Sequence, residues 1–165
     1  MAPFRFWALF LGLWVLDLLF LSLAPSLRLI VDPLLLLLIF QGFHLSSLRS
    51  LWLQGFGLGL VKDLTLGSLF GAWGCAFAGV GWVLASTRHL MEWEDRVVVA
   101  VFTGLFTLLG GILHAVILVI ADPMLTWSNM PWIALVATVL FHGVFAFWGF
   151  PRFQRFLRAP SLRLR

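Results

Sequence analysis

The sequence predicts an all-α integral membrane protein: a compact bundle of six transmembrane helices in which the second and third helices are short. Of its 165 residues, 62% are hydrophobic and only 11% are charged, whereas soluble domains carry about 25% charged residues. Its mean hydropathy is +1.04. Apolar runs of roughly 20 residues, the length that crosses a bilayer core, recur along the chain. Tryptophans near the ends of these runs fit the membrane–water interface.

Six apolar runs mark the predicted helices. They cover residues 6–24, 33–48, 51–61, 64–85, 97–120 and 131–150. Asp32 is a good N-cap for the second helix, and Pro33 suits its first turn. Asp122 and Pro123 end the fifth helix, and Pro131 opens the sixth. The first run, at about 19 residues, exceeds the 7–15-residue apolar core of a cleaved signal peptide, so we interpret it as a membrane helix.

Residues 51–85 are the hardest segment to divide into helices. As one helix they would contain about 35 residues, although about 20 residues cross a bilayer. We therefore predict two helices that break at the Lys62–Asp63 pair. The first of them is then only about 11–13 residues long, and neighbouring helices must shield its polar ends from lipid.

The distribution of basic residues predicts the orientation of the bundle. With six spans and both termini in the cytoplasm, nine of the eleven basic residues lie inside, as the positive-inside rule requires. Only Arg28 and Lys62 remain outside. A five-span arrangement would place either Arg5 or the arginine-rich C-terminal segment on the outer side.

The C-terminal segment differs in character from the rest of the chain. We divide the protein into a transmembrane domain, residues 1–150, and a basic amphipathic cytoplasmic tail, residues 151–165. Apolar residues and arginines alternate in the tail at helical spacing, which gives one apolar face and one basic face suited to an anionic lipid surface. The candidate membrane-surface residues are Arg152, Arg155 and Arg158.

Few side chains offer chemistry inside the predicted helices. Asp17, mid-way along the first helix, could relay protons or bind an ion, or it could be protonated or bonded to another helix. His114 and His142 fall in the fifth and sixth helices without a second ligand three or four residues away, so packing is favoured over a metal site. The single Cys75 is expected to be a buried packing residue. No enzyme motif or nucleic-acid module is recognisable, so we predict no catalytic activity, metal, cofactor or nucleic-acid partner.

The charged pair lies in a glycine-rich stretch that carries the most information. A lysine and an aspartate at membrane depth each cost roughly 2.5–3.5 kcal/mol on insertion scales, which indicates a specific role. Gly55 and Gly59 form a small-xxx-small pair of the kind that lets helices approach closely. Two further rows of small residues follow: Gly67, Gly71, Cys75 and Gly79, and on a neighbouring face Gly74, Ala78, Gly81 and Ala85. We expect one face to pack internally and hypothesise that the other receives a partner's helix.

The pattern of residues 55–71, Gly-Phe-x-x-Gly-x-x-x-Asp-Leu-x-x-Gly-Ser-x-x-Gly, resembles the MreD family of rod shape-determining proteins. The chain length, the six predicted spans, the leucine-rich helix after Pro33 and the basic tail are also similar to that family. The resemblance marks six positions as architecturally or functionally special: Gly55, Phe56, Gly59, Asp63, Gly67 and Gly71. Lys62 departs from the pattern, because the family usually has an apolar residue directly before the aspartate.

The resemblance implies a non-enzymatic subunit of the bacterial cell-elongation machinery in the inner membrane. Its expected partner is an MreC-like single-span protein with a large periplasmic part. Together they would connect the cytoplasmic actin-like MreB filament to the transpeptidase and glycosyltransferase of peptidoglycan synthesis. The family is also similar in overall fold to the substrate-binding subunits of energy-coupling-factor vitamin transporters, which likewise have six helices with short second and third ones.

The sequence therefore supports two hypotheses about function. The first is a membrane scaffold whose small-residue faces receive a partner's transmembrane helix. The alternative is the substrate-binding subunit of an energy-coupling-factor transporter, with an outward pocket near Lys62, Asp63, Asp122, Trp127 and Asn129. A proton or ion channel through Asp17 and the histidines is less favoured, since titratable groups do not recur along one helix face.

Overall fold

The computed structural model describes residues 10–15, 18–19, 32–43, 48–66, 69–87, 89, 95–122 and 124–158. In these ranges the chain forms α-helices with short 3-10 turns and no β-strand, so the predicted all-α class is confirmed. The longer helices are α1 (Pro33–Gly42), α2 (Leu48–Leu66), α3 (Ala72–Thr87), α4 (Arg96–Ala121) and α5 (Trp132–Arg158). Residues 10–15, within the first predicted span, are also helical.

Helix α1 is short and lies at the centre of the bundle. It begins as predicted: the Asp32 carboxylate accepts the backbone N–H of Leu35 at 3.1 Å, and Pro33 occupies the first turn. All ten of its residues are buried, as expected of a helix that is apolar on every side. The prediction extends this helix to residue 48, whereas α1 ends at Gly42. Glycine is a weak helix former, and the polar residues His44, Ser46 and Ser47 that follow are also consistent with an end before residue 48.

The predicted division of residues 51–85 into two helices is confirmed, but the predicted break at Lys62 and Asp63 is wrong. Helix α2 runs unbroken through Lys62 and Asp63 for 19 residues, so the third helix is not short. The turn comes later, at residues 69–71, where Gly71 adopts a φ of +94° that favours glycine. Helix α3 consequently begins at Ala72 rather than at residue 64. The two charges do not interrupt α2 because each has a partner on another segment.

Helices α4 and α5 are the longest of the described elements. They contain 26 and 27 residues, and both are long and apolar enough to cross a membrane. Asp95 caps α4 by accepting the N–H of Val97 at 2.7 Å, and the helix ends before Asp122, close to the predicted boundaries. Helix α5 continues through Pro151 to Arg158. Helix α5 therefore extends across the boundary that composition places between residues 150 and 151.

The helices pack as two pairs around α1. Helix α2 lies along α3, α4 lies along α5, α3 also packs on α4, and α1 contacts α2, α3 and α4. At one end of the bundle Phe150 is packed edge-on against Phe40 and Phe43, with ring centroids 5.1 and 5.4 Å apart. The opposite end brings together the start of α1, the last turns of α2 and the first turn of α3. That end carries the polar side chains described next.

Candidate functional site

The glycines of α2 form a tight contact with α3. Gly55 and Gly59 are buried, and a Cβ on either would collide with the backbone carbonyl of Phe77 or Trp73. From the other side, a Cβ on Gly81 would lie 2.6 Å from the Leu51 carbonyl oxygen. Small residues on both helices thus let the backbones touch, as small-xxx-small pairs do in membranes. These glycine faces are used inside the chain.

Asp63 joins the two helices through the backbone of α3. Its carboxylate accepts three N–H groups, from Gly71 at 2.9 Å, Trp73 at 3.1 Å and Gly74 at 3.2 Å. The first N–H groups of a helix lack partners within the helix, and the helix dipole favours a negative charge there. Asp63 is 2% exposed. Its position in α2 therefore caps the next helix across the turn.

The other small and aromatic residues singled out in the sequence belong largely to the same hairpin. Phe56 is half-buried, and its ring lies 3.3 Å from the position that a Cβ on Gly74 would occupy. The backbone nitrogen of Ala78 lies 3.2 Å from the position of a Cβ on Gly55, which places Ala78 at the α2–α3 contact. Gly67 lies outside the described residues. The single cysteine, Cys75, is exposed on α3, so its predicted burial is wrong; it faces away from the close α2 contact.

Lys62 is buried with its charge paired across two helices. Its ammonium group donates to Oδ2 of Asp32, the N-cap of α1, and both residues are less than 10% exposed. The Lys62 nitrogen also lies 3.6 Å above the ring of Trp73, close enough for a cation–π interaction. The imidazole of His114 stacks on the same ring, with centroids 3.7 Å apart. Because the Lys62 ammonium group and the His114 imidazole both lie within 4 Å of the Trp73 ring centroid, they cannot occupy the same face of the ring. The indole of Trp73 therefore lies between Lys62 and His114.

A buried hydrogen-bond chain continues from Asp32 into the core. The Asp32 backbone N–H donates to Nε2 of His142 at 3.0 Å. Since that nitrogen accepts, the proton of a neutral imidazole resides on Nδ1, which can donate to the Thr107 hydroxyl 2.9 Å away. Thr107 donates in turn to the Thr103 carbonyl at 2.8 Å. His142 is fully buried and has both nitrogens engaged, in agreement with the predicted packing role.

A cavity of about 260 Å³ lies beside the ion pair. Its polar lining comes from Asp32, Lys62, His114 and Thr138, and its aromatic lining from Trp73 and Trp132. Aliphatic side chains of α1, α2, α4 and α5 and the loop at Met130 and Pro131 complete the wall. Sequence reasoning missed Asp32, Trp73 and His114 as site residues, because their partners lie far away along the chain.

Of the pocket residues predicted from the sequence, the structure places Lys62 in the wall. Asp63 is turned towards α3 instead, and Asp122 is exposed, with its carboxylate accepting the N–H of Met124 at 3.0 Å. Trp127 is exposed and stacks on Trp132 with centroids 5.7 Å apart. The side chain of Asn129 lies outside the described residues.

The predicted membrane-surface arginines are only partly described. Arg152 is exposed and donates to the carbonyl of Trp148 at 2.6 Å. The helix backbone includes Arg155 and Arg158, but their side chains lie outside the described residues. Asp17 also lies outside them. Among the described residues, His, Cys, Asp and Glu do not gather in a group of three that could hold a metal ion.

Comparison of the chain with family models, with curated proteins and with solved structures finds no match.

Proposed function

We propose that the chain is a non-enzymatic membrane scaffold subunit of the bacterial cell-elongation machinery, of the kind that the MreD family provides. The observation that supports this most is the cooperation of the residues in the family-like pattern. Gly55 and Gly59 seat α2 on α3, Asp63 caps α3, and Gly71 makes the turn between them. The residues of the pattern together build one helical hairpin. Proteins of one family share their fold, so a pattern that builds part of the fold supports the family resemblance.

The placement of apolar and basic residues supports insertion in the inner membrane as a multi-pass protein. Helices α4 and α5 expose large apolar side chains along their outer faces; examples are Val101, Leu105, Leu140 and Val144, each more than half exposed. Arg96 and the helix backbone at Arg152, Arg155 and Arg158 lie at the end opposite the cavity. By the positive-inside rule, that end faces the cytoplasm together with both termini, and the tail rests on anionic lipid.

The scaffold would bind an MreC-like single-span protein and, directly or through it, the wall-synthesis transpeptidase and glycosyltransferase and MreB-like filaments. Because the faces around Gly59 and Gly81 are filled within the hairpin, a partner helix would meet other apolar surfaces of the bundle. Association in lipid depends on close van der Waals packing and a few polar contacts. The row of small residues that contains Gly74 and Gly81 is therefore the one that packs internally, and the row that contains Cys75, which is exposed, stays as the face proposed to receive the partner.

The experiment that tests this function is recovery of the tagged protein from its native membranes by gentle extraction, followed by mass spectrometry. The expected result is a single-span protein with a periplasmic coiled coil, together with wall-synthesis enzymes. The untagged chain, extracted in parallel, identifies material that binds the resin alone. A preparation that repeatedly contains none of these proteins would contradict the scaffold function.

The alternative function, a substrate-binding subunit of an energy-coupling-factor transporter, is favoured by one observation. The cavity at the predicted outer end has apolar, aromatic and charged walls, which are the ordinary constituents of a small-molecule site. In the same extraction this function predicts recovery of ABC-type ATPases and a transmembrane coupling subunit. Recovery of those proteins in place of the elongation proteins would decide for the alternative.

A further inference from the structure

We propose that the cavity beside Lys62 and Asp32 binds a small uncharged ring compound with an amide-type head group. The ring would occupy the apolar part of the cavity, and the head would lie against the ion pair. Binding of such a compound is independent of the scaffold function and can be measured on the isolated protein.

The size of the cavity sets the size of the ligand. At about 260 Å³ it is larger than the cavity of about 150 Å³ that binds benzene in another protein. One substituted ring or a small fused ring therefore fits. Leu35, Leu118 and Leu135 supply aliphatic wall, and Trp73 and Trp132 supply aromatic wall, so the body of the ligand must be apolar.

The charges of the wall favour a ligand without net charge. Lys62 and Asp32 form an ion pair with each other and are both buried. A ligand carboxylate or ammonium would enter with no free counter-charge there, and burial of an uncompensated charge is costly. A neutral ligand leaves the ion pair intact.

The Lys62 ammonium group and the Asp32 carboxylate have hydrogen-bonding sites beyond those they use with each other and with Leu35. These sites favour a ligand head group that both donates and accepts hydrogen bonds. An ammonium group has three donors and a carboxylate about four acceptor sites. The Asp32 carboxylate accepts from Lys62 and from the Leu35 N–H, and Lys62 donates to Asp32. An amide can accept from the ammonium and donate to the carboxylate at the same time. A hydrocarbon ring without a head group would form no hydrogen bond with the ammonium group or with the carboxylate.

Four matched probes test this chemistry: benzamide, benzoate, benzylamine as its cation, and ethylbenzene. Dissociation constants are measured on the protein in lipid nanodiscs, with empty nanodiscs correcting for partition into lipid. Benzamide is expected to bind at least tenfold more tightly than each of the others. If benzoate or benzylamine bound most tightly, the inference that the ligand is uncharged would be wrong. If ethylbenzene bound most tightly, the inference of an amide-type head group would be wrong. If benzamide did not bind, the proposed site would be wrong.

Filling the cavity locates the binding. Ala134→Phe on α5 and Ala115→Leu on α4 both add bulk to its wall, and each is expected to weaken benzamide binding at least tenfold. Ile133→Phe is the matched control, because Ile133 is 88% exposed beside Ala134; it should change the constant less than twofold. If one filling variant fails to fold, the other gives the answer. Benzamide affinity that survives filling would place the compound elsewhere and overturn the proposal.

Discussion

Lys62 and Asp32, thirty positions apart in the sequence, form a buried ion pair that joins α2 to the start of α1. The other oxygen of the Asp32 carboxylate caps α1, and the backbone N–H of Asp32 donates a hydrogen bond to the imidazole of His142. Three helices are thus tied together at a single residue. A lysine inside an apolar bundle is retained there because its charge has a partner in the fold.

Removal of one member of this pair should cost far more than removal of both. Lys62→Met leaves a buried carboxylate unpaired, for which a loss of about 3–5 kcal/mol is typical. Asp32→Asn leaves the ammonium unpaired in the same way, although asparagine still caps a helix well. The double variant Lys62→Met with Asp32→Asn should recover at least half of the loss. Unfolding of the detergent-solubilised protein measures all three.

Asp122→Asn serves as the control for that cycle, because the side chain is exposed and near the same end of the bundle. It should change stability by less than about 0.5 kcal/mol. Single and double variants that all lose the same small amount would show that Lys62 and Asp32 do not interact in the folded protein.

The cap that Asp63 provides predicts a graded series of variants. Asp63→Ala removes the acceptor of three N–H groups and should cost about 2–3 kcal/mol, since one buried and two partly buried donors are left unpaired. Asp63→Asn keeps one carbonyl oxygen and should cost less. Hydrogen exchange of the amides at Gly71, Trp73 and Gly74 should accelerate in the same order.

For comparison, Asp95→Ala removes an exposed N-cap of α4 and should cost only about 1 kcal/mol. Exchange at residues 71–74 should stay unchanged in that variant. If Asp63→Ala and Asp95→Ala were equal in stability and exchange, the carboxylate of Asp63 would not be capping α3.

The proposed orientation of the bundle predicts which end reacts with a membrane-impermeant label. In a Cys75→Ser background, a cysteine at exposed Thr126 should react with a membrane-impermeant maleimide in intact cells, because it lies at the cavity end. A cysteine at exposed Arg96, at the opposite end, should react only after permeabilisation. The reverse pattern would place the cavity on the cytoplasmic side.

Gly71 predicts a different kind of sensitivity from the other glycines. A Cβ on Gly71 would meet no atom within 4 Å, but the φ of +94° at this position is one that other residues rarely adopt. Gly71→Ala should therefore cost of order 1–3 kcal/mol through backbone strain alone. A loss of stability after substitution here, measured by thermal unfolding, reports on the turn and not on a partner's contact. Unchanged stability would mean that the turn adopts another conformation.

The sequence predicts a structural feature well when the interacting residues lie close together along the chain, and poorly when they lie far apart. The start of α1 follows from Asp32 and Pro33, because an N-cap and a first-turn proline act on their own helix. The break wrongly assigned to Lys62 and Asp63 rests on their charge alone. Whether a charge interrupts a membrane helix depends on what it meets, and Asp32 lies 30 positions away.

The cavity was still harder to predict from the sequence. His142 meets Asp32 across 110 positions, and Trp73 stacks with a histidine on another helix. No spacing rule connects such residues. The glycine spacing does predict close helix packing, but it does not distinguish Gly59, against which α3 lies, from Gly57, which faces open space.

That last contrast gives the most direct test that the glycine-rich pattern acts within the chain. Gly59→Ala and Gly57→Ala make the same chemical change two residues apart, and both proteins are measured for thermal unfolding and for recovery of native partners. Gly59→Ala should lose about 1–3 kcal/mol as α2 is forced from α3. Gly57→Ala should be neutral or gain up to about 1 kcal/mol. Unchanged stability of Gly59→Ala together with selective loss of its partners would contradict this, because Gly59 would then belong to an intermolecular face.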